Sequence, residues 1–255
     1  MNSAFVVTAY CTKSNRCILD CVESIVKSNP GSRIIIIDSN SPDKTYFDIA
    51  KSLGAEICDV SNKHRETGSI WYAYKNYSEV DFFYFLQDSL LCLDNVEHLS
   101  KKEFSCLRYF PSWDGKKFKG TPGLLGSRCG WADSDVPKEK NGLGFKYKSE
   151  NGMDDRNWLQ ENLIKYCPEI KIPHEWYSIF GPVFFCRRST LEKIYNTGFS
   201  NILPVNKLES CTMERAWGII FKHFGHCVYS ESIQKYYLHP SYRDEYLFKK
   251  NFYLR

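Results

Sequence analysis

Several common signatures are missing from this 255-residue sequence. No glycine follows its first apolar run, AFVVTAY; the next residues are Cys11-Thr12-Lys13-Ser14-Asn15-Arg16. A dinucleotide-binding turn needs glycines there so that the backbone can approach a pyrophosphate, so a Rossmann dehydrogenase is disfavoured. Nucleotidyltransferases carry a glycine-rich basic loop at the same place, and the same lack counts against them. There is no G-x-S-x-G elbow, which argues against an α/β hydrolase. No Cys-x-x-Cys pair occurs, which argues against a structural zinc site. No apolar stretch approaches the roughly 20 residues that span a bilayer. Dense clusters of Lys and Arg are also lacking. The net charge of +4 and pI of about 8.4 suit a phosphate-bearing small ligand better than a nucleic acid.

What is present points to a globular chain. Apolar residues make up 43% and charged residues 25%, enough for a sizeable core and ordinary for a folded protein. The eleven cysteines are odd in number and scattered, several inside apolar runs such as FYFLQDSLLCL and VFFCRR. They read as buried reduced thiols of a cytosolic protein. Met1-Asn2-Ser3 leads directly into a strand-like run, so no leader peptide is expected. Any contact with a membrane would be peripheral.

The first ninety residues alternate strand and helix signals. Ala4–Tyr10 is short, apolar and β-rich. Cys17–Ser28 places Ile18, Cys21, Val22 and Ile25 on one helical face, and Asn29-Pro30-Gly31 ends it. Arg33–Asp38 reads RIIIID, a continuous β-branched run of the kind buried on both faces of a parallel sheet. A helix is expected from Ser41-Pro42-Asp43 through Leu53, a strand over Ala55–Val60, a helix over His64–Tyr77 and a strand over Asp81–Leu86. Four such units predict a doubly wound α/β sheet. Residues 111–152 read as long loops. Glu175–Cys186 reads as an approach loop entering a strand at Val183–Cys186. Helices are expected over Asn157–Tyr166, Ser189–Tyr195 and Glu209–Phe224.

In doubly wound sheets ligands bind outside the carboxyl ends of the strands. The polar residues at those ends are Thr8, Tyr10, Asp38, Asn40, Gln87, Asp88 and Ser89. Tyr10 could stack on a base or pack the strand end. Asp38 could accept from a base or ribose, or cap the next helix, a task Ser41 or Asp43 could take instead.

The order of these segments resembles the GT-A glycosyltransferases. The likeness runs through Thr8-Ala9-Tyr10, Asp38, Arg65-Glu66-Thr67-Gly68, the segment FYFLQDS, Gly181-Pro182-Val183-Phe184-Phe185 with Arg187-Arg188, Met213-Glu214-Arg215-Ala216-Trp217, and His239. The resemblance implies one GT-A domain, a Rossmann-like mixed sheet flanked by helices. A nucleotide-sugar donor half would span about residues 1–100, and an acceptor half with the C-terminal tail about residues 101–255. It implies transfer of a hexose from a nucleoside diphosphate sugar, UDP before GDP, to a glycan, lipid-linked or protein acceptor. Thr8, Tyr10, Asp38, Gly68, Gln87, Asp88, Ser89 and Lys235 would bind the donor. Glu214, at a helix opening, would act as the base of an inverting reaction, with Asp155 its rival. A first-turn acid favoured by the helix dipole is the plainer role for Glu214.

The family's metal motif is often Asp-x-Asp, and this chain has Gln87-Asp88-Ser89, with one acid. Alternate residues of an extended segment point to opposite sides. Asp88 therefore either faces away or itself holds Mn²⁺ or Mg²⁺ with phosphate oxygens and His239. The expectation is metal dependence. The competing expectation is a catalytically silent domain of this fold that binds a nucleotide or glycan. Trp176, Tyr177 and Phe180 read equally as a sugar platform or as core.

Overall fold

A computed structural model describes residues 1–11, 16–106, 109–113, 156–173, 175–179, 181–226 and 248–250. In chain order its first elements are β1 (Ser3–Ala9), α1 (Cys17–Ser28), β2 (Arg33–Asp38), α2 (Thr45–Ser52), β3 (Ala55–Cys58), α3 (Arg65–Asn76), β4 (Phe82–Gln87) and β5 (Leu90–Cys92). There follow β6 (Phe104–Cys106), β7 (Tyr109–Trp113), α4 (Arg156–Tyr166), β8 (Glu175–Ile179), β9 (Phe184–Arg187), α5 (Arg188–Asn196), α6 (Lys207–His223) and β10 (Phe248–Lys250). Two compact units interleave in sequence: residues 1–107, 183–192 and 230–255 form the first, 108–182 and 193–229 the second.

The first unit holds a six-stranded sheet in the order β3-β2-β1-β4-β9-β6. The first four strands are parallel, and β9 runs antiparallel to both β4 and β6. This is an α/β architecture with a Rossmann-like mixed sheet flanked by helices. The isoleucines of β2 are all buried, as a central strand covered on both faces requires. Phe5, Tyr84 and Phe185 stand in register across β1, β4 and β9. Their rings lie 4.6 and 5.5 Å apart and knit the sheet's centre. Helix α1 buries Ile18, Cys21, Val22 and Ile25 in one core with Phe5, Val7, Ala9, Ile34 and Ile36. Strand alternation turns Val6 and Thr8 to the opposite face.

Strand β5 pairs antiparallel with β10, a pairing the sequence did not suggest. In the second unit β7 and β8 pair antiparallel. Residues 175–179 are thus a strand, where a loop was expected. Residues 111–113, expected in a loop, close β7; residues 114–152 lie outside the described part. Helix α6 lies directly on β8: a Cβ on Gly218 would stand 2.2 Å from the Tyr177 carbonyl oxygen.

Candidate functional site

In the order β3-β2-β1-β4 the chain steps outward from β1 to β3, then returns to the other side of β1 with β4. The reversal falls between β1 and β4, and ligands of such sheets sit outside the carboxyl ends at that point. There Thr8 pairs with Gln87 across the reversal, and Ala9 pairs with Asp38 on the β2 side.

Asp88, one residue past β4, is tied to β1 twice. Its N–H donates to the Thr8 carbonyl at 3.1 Å, and its Oδ2 accepts the Tyr10 N–H at 2.9 Å. The residue is 4% exposed. The Tyr10 side chain does not pack the strand end: the residue is 53% exposed and its ring is open for stacking. Ser89 is buried. Beside them the Cys11 thiol is pushed up to about 12, first by burial and then by Asp88, which makes it a poor nucleophile.

Asp38 is 0% exposed. Its Oδ1 accepts the Ser41 N–H at 2.9 Å. Its Oδ2 makes no hydrogen bond and faces the Lys44 ammonium at 3.4 Å. Lys44 also bonds Asp59, which raises its ammonium more than Asp38 does. The opening of α2 is served by Asp43, whose Oδ1 accepts the Thr45 N–H at 2.9 Å. Asp38 is therefore not that helix's cap.

The loops around this edge are heavily cross-bonded. Ser39 donates its N–H to Ala9 and its hydroxyl to the Asn62 carbonyl, at 2.8 and 3.1 Å. The Ser41 hydroxyl accepts the Cys11 N–H at 2.8 Å. Asn62 donates through Nδ2 to the Arg65 carbonyl at 2.7 Å and accepts the His64 N–H at 3.0 Å. Three non-glycine residues here are left-handed: Asn40 (φ 60), Ser61 (φ 50) and Arg65 (φ 51). Such strain costs on the order of 1–3 kcal/mol per residue and persists where surrounding bonds over-determine it, often at binding sites.

Helix α3 contributes Glu66, whose Oε1 accepts the Gln87 Nε2–H at 2.7 Å. The sequence reading did not single out Glu66, Asn62 or Lys44 as site residues. No local signal marks the Glu66–Gln87 pair, because it depends on where α3 lands against β4. A Cβ on Gly68 would meet the Asn62 Oδ1 at 2.0 Å and the His64 Cβ at 2.9 Å, so these neighbours already require a glycine there.

Glu214 does not open a helix, as the sequence reading had it. Helix α6 begins at Lys207 behind the cap Asn206, and Glu214 sits well inside it. That also removes its role as a first-turn acid. Its Oε1 accepts the Gly181 N–H at 3.0 Å and its Oε2 lies 3.1 Å from the Arg215 guanidinium. Trp176 is 2% exposed, with its indole N–H on the Ser178 hydroxyl, so it is core and no sugar platform. Asp155, Phe180, Lys235 and His239 lie outside the described residues.

A divalent cation bound through phosphates needs one or two carboxylates. Asp88 is the only acid of the 87–89 segment, and one of its oxygens holds the Tyr10 amide. Among the described residues no three His, Cys, Asp or Glu side chains gather as metal ligands. The described residues thus offer such a cation the Asp88 carboxylate and no cluster of three ligands.

No protein-family model matches this chain, and none of the curated proteins does. Among solved structures it is similar to Staphylococcus aureus TarS residues 1–349, at 16% identity over 84% of this chain and 55% of that one, with a TM-score of 0.41. It is similar to the same fragment in complex with UDP, at 14% identity over 84% and 54%, with a TM-score of 0.43. The fragment in complex with UDP-GlcNAc gives 16% identity, 84% and 53%, with a TM-score of 0.40. The chain thus spans a little over half the length of these structures. Among the described residues no helix is long and apolar enough to cross a membrane.

Proposed function

We propose that this chain is a nucleotide-sugar-dependent glycosyltransferase that binds its donor at the carboxyl edge of the β3-β2-β1-β4 sheet. The observation that carries the reading is the meeting of Thr8, Tyr10, Asp38, Gln87 and Asp88 at the strand-order reversal. The exposed Tyr10 ring stacks on the base. Asp38 accepts from the base or ribose once Lys44 has moved aside. The donor is a nucleoside diphosphate hexose, with uridine preferred over guanosine on frequency alone. The acceptor is a glycan, glycolipid or protein hydroxyl.

The reaction in this reading is inverting. The acceptor oxygen forms its bond to the anomeric carbon as the bond to the diphosphate oxygen breaks, and the electron pair leaves with the diphosphate. The acceptor proton passes to a carboxylate. Glu214 and Asp155 are the candidates. Mn²⁺ or Mg²⁺, with Asp88 and His239, belongs to the reading only through the family resemblance, and no step here depends on it.

A second reading, a nucleotide- or glycan-binding domain without turnover, is favoured by one observation. Glu214 and Asp88 are both hydrogen-bonded within the protein. Calorimetric titration with UDP, GDP and their sugars, each with Mn²⁺ and with EDTA, tests the proposal. Binding of one nucleotide together with slow hydrolysis of its sugar supports a transferase. Binding without any turnover, with glycan acceptors present, supports the second reading. No binding of any nucleotide rejects both as nucleotide sites.

A further inference from the structure

We infer that Glu66, held in place by Gln87, is the residue that reads vicinal hydroxyls of the bound nucleotide sugar. The inference rests on the donor-site reading above and assigns this part of the edge a different chemistry from a metal–diphosphate site. Gln87 ends β4 and stands in register with Thr8 at the strand-order reversal. Glu66 reaches the same point from α3 and takes the Gln87 amide proton at 2.7 Å. Both side chains are half-buried.

A carboxylate offers about four lone-pair sites on its two oxygens. The bond to Gln87 occupies one of them and fixes the plane of the group. The remaining sites only accept, so a ligand here must donate. Phosphate oxygens are themselves acceptors and carry like charge, and they are repelled. Two neighbouring hydroxyls match the two carboxylate oxygens. The residue type at 87 agrees with this. An acid there would put a second carboxylate against Glu66, and two carboxylates at that distance need a shared proton or a cation between them. Glutamine settles the pair with its own N–H and leaves the charge of Glu66 for the ligand.

The backbone before Glu66 is built to hold it. Arg65 is left-handed, and its carbonyl is clamped by Asn62 at 2.7 Å. Asn62 in turn is fixed to the β2 loop through its own N–H to the Asp38 carbonyl and through the Ser39 hydroxyl. A first-turn acid favoured only by the helix dipole would need none of this and would not face the end of β4.

The vicinal hydroxyls belong either to the ribose or to the hexose, and one experiment separates them. UDP, 2′-deoxyuridine diphosphate and UDP-glucose are titrated calorimetrically in EDTA into the wild type, Glu66→Ala and Glu66→Gln. A ribose reader binds UDP at least tenfold tighter than the deoxy analogue; a hexose reader binds UDP-glucose at least tenfold tighter than UDP. A charge-assisted hydrogen bond contributes about 1.5–3 kcal/mol, roughly a factor of ten to a hundred. Glu66→Ala is expected to erase whichever ratio the wild type shows, and Glu66→Gln to reduce it while keeping the same thermal midpoint. Wild-type ratios retained in both variants overturn the inference and leave the donor site standing. Wild-type protein that binds UDP but discriminates neither pair also overturns it. Wild-type protein that binds none of the three, nor GDP or its sugars, either in EDTA or with Mn²⁺, overturns the donor-site reading, and this assignment with it.

Discussion

The carboxylate of Asp88 accepts the backbone N–H of Tyr10 at 2.9 Å, a bond that joins the end of β4 to the end of β1 at the sheet's reversal. It holds the exposed Tyr10 ring at the edge where a base would stack.

Asp88→Ala is therefore expected to destabilise the protein. It strands a backbone donor, which costs about 1–3 kcal/mol. Asp88→Asn keeps an acceptor oxygen and should recover most of that stability. Urea midpoints measure both. If Asp88 served only a cation, the alanine variant would keep its midpoint and the asparagine variant would behave the same way.

Lys44 faces the buried Oδ2 of Asp38 at 3.4 Å, and Asp38 is 0% exposed. No ligand reaches that oxygen while Lys44 stays. Lys44→Ala should lower the thermal midpoint, because it leaves the buried Asp38 carboxylate without its cation, yet tighten nucleotide binding severalfold. Asp38→Ala should abolish it. Affinities by calorimetry that are unchanged in both variants would remove Asp38 from the donor site.

Glu214 bonds Gly181 and Arg215 within its own unit. Glu214→Gln preserves an acceptor for the Gly181 N–H but takes the charge from the buried Arg215 pair, and should fold with a lowered midpoint. If Glu214 is the base, that variant loses kcat by at least a hundredfold while donor affinity holds. A variant with full kcat would leave Glu214 as a latch on the Gly181 turn and return Asp155 as the candidate.

The sequence disclosed the strands whose environment is simplest. RIIIID and FFYFLQ are continuous apolar runs because both faces of β2 and β4 are covered, and α1 shows its helical period plainly. Strands β5 and β6, of three residues each, are too short for any period to register. Strand β8 was hidden by its aromatics and the Gly-Pro that follows. The start of α6 was read two residues late, at Glu209 rather than Lys207, while the family resemblance set Glu214 at a helix opening. Asn206 and Glu209 form a reciprocal cap, with the Glu209 N–H on Asn206 Oδ1 at 2.9 Å and Asn206 Nδ2 on Glu209 Oε1 at 2.8 Å. An Asn with Glu three residues later is a helix-start signal, and it places Glu214 inside the helix. At the site, single-residue chemistry pointed to Tyr10, Asp38 and Asp88. The Glu66–Gln87 and Asp38–Lys44 pairs were out of reach, since each depends on how a helix or its entry loop meets the strand edge.

Gly218 has the Tyr177 carbonyl against it, where a Cβ would stand at 2.2 Å. Gly218→Ala should push α6 off β8 and cost about 1–3 kcal/mol, the usual penalty for overpacking. That exceeds the roughly 1 kcal/mol that alanine gains over glycine in a helix, so the net effect is destabilising. A variant with a raised thermal midpoint would mean that α6 and β8 separate freely.

Alkaline pH should unfold this protein earlier than its modest charge suggests. Of the nine described cysteines, eight are buried. Burial pushes the Cys11 thiol up to about 12 and the Cys167 thiol to about 11, and it raises Cys21 and Cys186 as well. In the unfolded chain a thiol titrates near 8.5. A folded pKa raised above the unfolded one means that the folded state holds its proton longer. The contribution to stability is complete below pH of about 8.5 and is lost progressively as pH rises toward the folded values. Urea midpoints taken from pH 7 to 10.5 should be flat to about 8.5 and fall steadily beyond it. Cys11→Ala should soften the decline, because it removes one of the groups that gains by ionising on unfolding. A midpoint that holds level to pH 10.5 would mean that these thiols titrate as freely in the folded protein as in the unfolded chain, against their burial.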